Sequence, residues 1–132
     1  MTPAPLPLQI FIVENHEDTL KYLRMYLETL GHIVASATSM AEALEKIPQQ
    51  KIDLLLSDIG LPDGSGWELL EKLPASPALF SVAMSGFGMN ADRARSRTAG
   101  YRHHLIKPFM PDELDSILAE ASALRTPAAG AA

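Results

Sequence analysis

An alternation of short apolar runs with helical patterns narrows the fold of this chain more than any other feature. The runs fall at Leu8–Val13, Ile33–Ala37, Asp53–Ser57, Leu79–Met84 and Arg102–Ile106. They are strand-length, and three are nearly continuous in Ile, Val, Leu, Phe or Met, as expected where both faces of a sheet are covered. Between them, Leu20, Leu23, Leu27 and Leu30 recur at three- and four-residue spacing, and Gly31 is a natural stop. Met40, Ala43, Leu44 and Ile47 repeat the pattern behind a capping box, Ser39-x-x-Glu42, with Pro48 after it. A second capping box, Ser65-x-x-Glu68, precedes Leu69, Leu70 and Leu73. Asn90 is placed to cap a short helix ending at Gly100, and Pro111 suits the first turn of a last helix with Leu114, Ile117, Leu118 and Ala121 on its apolar face. Five strands alternating with five helices predict an α/β fold: a doubly wound, five-stranded parallel sheet with right-handed crossovers and helices on both faces.

A chain of 132 residues fits one such domain, and no internal repeat or linker divides it. A formal charge of −5 leaves no basic excess for a nucleic-acid backbone, so no direct nucleic-acid partner is expected. The chain has no cysteine, which excludes disulfides, thiolate zinc sites and thiol catalysis and fits a cytoplasmic protein. No apolar run approaches membrane-spanning length, so membrane insertion is not expected. "MTPAPLPLQ" lacks the basic start of a secretory signal. Residues 1–7 read as a flexible lead, 8–124 as the domain, and 125–132, "RTPAAGAA", as a flexible tail.

In parallel sheets of this kind, function collects at the carboxyl ends of the strands. Those ends carry Glu14 and Asn15 after the first strand, Asp58 after the third, Ser85 after the fourth and Lys107 after the fifth. Asp58 ends "DLLLSD" and precedes the Gly/Pro-rich loop "IGLPDGSG". A carboxylate there can hold a divalent cation or act as a nucleophile towards a phosphoryl group. Carboxylate and phosphoryl group repel, so a cation must sit between them. Lys107 supplies a second positive charge and Ser85 a hydroxyl donor. Taken singly, each residue has a plainer reading: a loop cap, a solvated lysine, a turn serine, and in Asn15 a helix cap. The convergence of all of them favours the acceptor site. His103 and His104 are strand neighbours that point to opposite faces, which argues for a surface histidine beside a semi-buried one rather than a metal pair. Arg93, Arg95, Arg97 and Arg102 read as a solvated face. Tyr22, Met25 and Tyr26 lie off the leucine stripe of their helix and group on another face.

In this order and at these spacings, "VEN", "LLLSDIGLPDGSGWELL", "AMSG" and "LIKPF" make residues 8 to 124 resemble a receiver domain of two-component response regulators. The resemblance implies the flavodoxin-like strand order 2-1-3-4-5. It implies that Asp58 accepts a phosphoryl group, with Mg2+, from a histidine kinase or histidine phosphotransfer protein, and that an output protein reads the change. It assigns Lys107 to the family lysine, Ser85 to the switch hydroxyl and His104 to the aromatic switch position. It adds the Gly60 carbonyl to Glu14, Asn15 and Asp58 as metal ligands, and makes the Lys107–Pro108 bond cis. Self-catalysed phosphorylation and dephosphorylation are expected, but not a turnover enzyme.

The chain departs from the family pattern in one place. Two adjacent acids usually follow the first strand, and here Glu14 is followed by Asn15. An amide keeps an oxygen of similar reach but loses a charge. That charge is worth roughly 4 kcal/mol at 4 Å and an effective dielectric near 20, before the difference in hydration is subtracted. A weakened magnesium site follows. The alternative is an atypical receiver that binds partners without phosphorylation. A hydrolase with an aspartyl nucleophile is disfavoured, because the general acid two residues further on would be Gly60. No phosphate-cradling Gly-Lys loop or dinucleotide fingerprint is present. No output domain is expected after the last helix, and the chain reads as a free-standing regulator or a piece of a larger protein such as a hybrid kinase.

Overall fold

The computed structural model describes residues 7–74, 79–86 and 90–130, without the side chains of 90, 91 and 125–130. The elements in chain order are β1 (Gln9–Val13), α1 (Glu17–Thr29), β2 (Ile33–Ala37), α2 (Met40–Lys46) running into a 3-10 turn (Ile47–Gln49), β3 (Leu54–Asp58), β4 (Gly60–Leu61), β5 (Gly64–Ser65), α3 (Gly66–Lys72), β6 (Phe80–Ser85), α4 (Asn90–Ala99), β7 (His103–Ile106) and α5 (Pro111–Gly130). The main sheet is parallel throughout, in the order β2-β1-β3-β6-β7. Counted by its own five strands, that is the order 2-1-3-4-5. The β4–β5 pair is a small antiparallel hairpin with Pro62 and Asp63 at its turn. Two-residue strands are too short for a period-2 pattern to reveal them.

The central strands β3 and β6 are buried along their whole length, whereas the edge strands β2 and β7 are mostly half-exposed. Alternation along the strands feeds two cores. Ile10, Ile12, Leu54, Leu56, Val82 and Met84 face α1 and α5, with Leu23, Leu27, Leu114 and Leu118. Phe11, Val13 and Leu55 face α2 and α3, with Ala43 and Leu69. Each fully buried leucine contributes about 1.5–3 kcal/mol, so the strand tips are mounted on the most firmly packed part of the molecule.

Local signals set the ends of the helices. Ser39 Oγ accepts from Glu42 N–H at 3.1 Å, while the Glu42 carboxylate reaches back one residue beyond the expected box, to Thr38 N–H at 2.7 Å. Asp63, from the hairpin turn, also caps α2, accepting from Met40 N–H at 2.7 Å and Ala41 N–H at 2.9 Å. Ser65 Oγ accepts from Glu68 N–H at 3.1 Å, as the second capping box requires. Gly31 (φ 96°) and Gly100 (φ 113°) take the left-handed conformation that ends α1 and α4. The side chain of Asn90 lies outside the described residues, as do residues 1–6 and 131–132. Helical backbone continues to Gly130 through most of the segment read as a tail. Among the described residues no helix is long and apolar enough to cross a membrane.

Candidate functional site

Parallel register brings the strand tips together. Val13 lies beside Ser57, Asp58 beside Met84 and Ser85 beside Ile106, so Glu14, Asp58, Ser85 and Lys107 meet at one end of the sheet. Lys107 N–H extends the ladder by donating to the Ser85 carbonyl at 2.7 Å. The Lys107 ammonium donates to Asp58 Oδ2 at 2.8 Å and to Glu14 Oε1, joining the two carboxylates. Asp58 Oδ1 accepts from Gly60 N–H at 3.1 Å, and Glu14 Oε2 accepts from His16 N–H at 3.1 Å. The Lys107–Pro108 peptide is cis.

One ammonium serves two buried carboxylates, and they titrate as a pair. Burial raises both, with opposite net results. In Glu14 the hydrogen bonds from Lys107 and the His16 amide outweigh burial and hold the group below the ordinary range. In Asp58 burial prevails over Lys107 and the Gly60 amide, with Glu14 adding repulsion, so its carboxyl lies above the ordinary value. Burial lowers Lys107, but its bonds to Asp58 and Glu14 more than offset this, and it stays charged. Asp58 thus lies, with burial opposing its charge and Lys107 and the Gly60 amide favouring it, at the floor of a cleft of about 640 Å³ that His16, Thr19, Trp67, Ser85 and Lys107 also line.

A hydrogen-bonded chain leads away from the site. Ser85 Oγ lies 2.7 Å from His104 Nε2, His104 Nδ1 lies 2.8 Å from Ser96 Oγ, and Trp67 Nε1–H donates to Ser96 Oγ at 2.9 Å. Burial, then the nearby Arg93 guanidinium, pushes the His104 imidazole below its usual value, and Asp92 opposes this. His103, on the opposite face, meets Glu120 at 2.8 Å and packs on Phe80. Both histidines are half-buried. Arg95 pairs with Glu71 and lies over the Trp67 ring, and Arg102 pairs with Glu120.

The carboxylates of Glu14 and Asp58 are the hard oxygen donors that magnesium takes, so the chemistry of these donors fits that ion. Ligand atoms of Glu14, His16 and Asp58 lie within 4.8 Å of one another. Asn15 is exposed, next in the chain to the buried Glu14. It does not cap α1: the cap position falls to His16, whose side chain makes no capping bond. Sequence reasoning missed His16, Ser96 and Trp67. His16 had a signal, one residue past Asn15 at a strand tip. Ser96 and Trp67 had none, because only the packing of α3, α4 and β7 brings them to His104.

On α1, Tyr22 and Met25 are exposed, at 57% and 60%. Tyr26 stacks on Tyr22 with ring centroids 6.4 Å apart, and its hydroxyl donates to Asp115 on α5.

Comparison with known proteins agrees with this geometry. The family model of the response regulator receiver domain matches residues 10–119. An uncharacterized 14.6 kDa protein encoded in the sodA1 3' region of Leptolyngbya boryana is 33% identical over 110 residues, 81% of this chain and 84% of that one. The probable transcriptional regulator ycf29 of Pyropia yezoensis is 36% identical over 113 residues, and the chain spans 51% of its length. Among solved structures, a CheY-like response regulator receiver domain protein from Methanospirillum hungatei superposes with a TM-score of 0.84 at 30% identity, covering 92% of this chain and 98% of that one. With the fold, the strand-tip residues and the match over most of its length in agreement, the chain belongs to the response regulator receiver domains of two-component signal transduction.

Proposed function

We propose that this receiver is a phosphoacceptor: Asp58 takes a phosphoryl group from a histidine kinase or histidine phosphotransfer protein in the cytoplasm, and an output protein reads the change. The observation that carries the reading is the Lys107 ammonium bridging Asp58 and Glu14 in the cleft that Ser85 also lines. A carboxylate oxygen of Asp58 forms the new bond to phosphorus as the bond from phosphorus to the donor's imidazole nitrogen breaks, with its electron pair leaving on that nitrogen. Lys107 and the Ser85 hydroxyl meet the charge on the equatorial oxygens. Glu14, Asp58, the Gly60 carbonyl and Asn15 would hold Mg2+, which supplies charge neutralisation between acceptor and phosphoryl group. Lys107 and Ser85 serve a transfer onto the chain's own Asp58, which makes the protein the phosphoacceptor of its kinase, with at most self-catalysed phosphorylation and dephosphorylation, rather than a turnover enzyme.

The test is incubation with magnesium and acetyl phosphate, followed by intact mass measurement. One phosphoryl adduct is expected, absent in Asp58→Asn. No adduct, with either the small donor or a cognate kinase, would favour the second reading, an interaction module independent of phosphorylation. Asn15 is the observation behind that reading.

A further inference from the structure

His16 brings a ring nitrogen to the acidic end of the cleft. Its side chain is 73% exposed, and it lines the cleft together with Asp58. The main chain fixes its place: His16 N–H donates to Glu14 Oε2 at 3.1 Å, and α1 begins one residue later. The ring meets the same oxygen, with Nδ1 3.3 Å from Glu14 Oε2. That is longer than the usual N–H···O bond of about 2.7–3.2 Å. It matches the spacing of two ligands on one ion, since metal bonds of about 2.0–2.1 Å at the tetrahedral angle place nitrogen and oxygen about 3.4 Å apart. Lys107 takes the other Glu14 oxygen, Oε1, together with Asp58 Oδ2, so Oε2 faces the ring and not the ammonium. One ligand atom each from Glu14, His16 and Asp58 falls within 4.8 Å of the other two. The two carboxylates are buried, and the exposed ring has room to turn towards them.

An imidazole changes which ions such a site prefers. Magnesium is a hard ion that takes oxygen ligands and keeps its waters, so a ring nitrogen adds little to it. First-row transition ions such as zinc bind imidazole and carboxylate alike, and two carboxylates, one histidine and a water fill a four-coordinate zinc shell. Lys107 already sets one positive charge against the two carboxylates, and Asn15 brings no third. A neutral nitrogen donor then adds affinity where charge alone is short.

We propose that His16 is a metal ligand: through Nδ1, with Glu14 and Asp58, it gives this receiver a site for a first-row transition-metal ion in the cleft whose oxygens alone serve magnesium. The proposal rests on Glu14 and Asp58 being metal ligands.

Isothermal titration calorimetry of the whole chain near neutral pH, with zinc chloride and with magnesium chloride, measures both affinities. Carboxylates alone also take zinc, so the deciding quantity is the share that depends on the ring. His16→Ala, at an exposed position, should weaken zinc binding by about tenfold or more, at least what loss of a supporting residue commonly brings. Magnesium affinity should stay within about twofold. A long-range nitrogen–proton correlation spectrum should show His16 Nδ1 shifting to the metal-bound type with zinc and not with magnesium. Asp58→Asn should weaken both ions. Equal zinc affinity in the parent and His16→Ala, with magnesium still bound, overturns the role of His16 and leaves the two carboxylates as the metal ligands. Zinc that leaves the His16 signal in place, or that binds Asp58→Asn as well as the parent, sits elsewhere on the chain and overturns it too. If neither ion binds the parent, the metal reading of the cleft has failed, and the His16 site falls with it.

Discussion

Replacing Lys107 with methionine keeps most of the side-chain volume and removes the single positive charge shared by Glu14 and Asp58. The loss can be sized from the geometry. At about 4 Å between charge centres and an effective dielectric near 20, each pair is worth about 4 kcal/mol, so two are removed at once. Against this, the folded state no longer has to strip water from an ammonium, which returns several kcal/mol. Removing one member of a buried pair commonly costs about 3–5 kcal/mol, and the 21% exposure of the Lys107 side chain points to the lower end. Lys107→Met should therefore lose about 3 kcal/mol at pH 7. The dependence on pH follows from the shifts. The Asp58 carboxyl already lies above its ordinary value, so its stabilising contribution is full below the unfolded value and disappears as pH rises through the folded one. Without the ammonium both carboxyls move up, so the variant gives way further as they ionise. Lys107 itself is raised, so its stabilisation in the unaltered protein is complete at neutral pH. The gap between the two proteins should then be wide at pH 7 and narrow towards pH 5, and Asp58→Asn added to Lys107→Met should close much of it. Urea unfolding followed by the fluorescence of Trp67, the single tryptophan, measures all three. A gap below about 0.5 kcal/mol at pH 7, the scatter of ordinary surface substitutions, would refute the argument. So would a gap that widens on acidification.

Asn15→Asp restores a charge beside the carboxylates and should tighten magnesium binding by roughly tenfold, about 1.4 kcal/mol, in a titration of Trp67 fluorescence; identical titrations would mean that Glu14 and Asp58 serve the metal without help from residue 15. Gly66→Ala puts a Cβ 2.5 Å from the Asp58 carbonyl oxygen, main chain against main chain, and should cost about 2 kcal/mol in urea unfolding; stability equal to the parent would show that the contact yields easily. Replacing Tyr22 and Met25 together with Ser should slow transfer from a histidine-phosphorylated donor while sparing phosphorylation by acetyl phosphate, and equal losses in both assays would point to damaged folding instead.

The sheet could be read from the chain because its signal is local. Runs such as "DLLLSD" are apolar over the span of one strand, and the helices between them carry their own caps. The site was legible for a related reason: in a parallel sheet a residue just past a strand end lies at the functional end whatever the rest of the chain does. Asp58, Ser85 and Lys107 needed no more than that. Residues placed by packing were not legible. Ser96 sits among arginines in a helix of weak apolar character, and its meeting with His104 depends on how α4 docks on β7. Tyr26 reads as one of an exposed group on α1, yet the position of α5 hands its hydroxyl to Asp115. The Asn15 cap failed for a local reason: α1 begins at Glu17, so the cap position falls to His16, whose amide is tied back to Glu14.

Gly66 has a mechanical consequence. Its N–H donates to the Ile59 carbonyl at 3.0 Å, its carbonyl accepts from the buried Tyr101 hydroxyl at 2.6 Å, and Ile59 N–H donates to Met84 at 2.9 Å. The backbone that carries Asp58 is thereby gripped between the central strand β6 and the first turn of α3. A residue mounted this way has little room to back off when charge and bulk are added to its tip. On the proposal that Asp58 takes a phosphoryl group, recoil would pass instead to the groups around it that can still turn about their own bonds, Lys107 first, and through its main chain to β7. A stiff anvil at that position would send the blow sideways, towards the edge of the sheet.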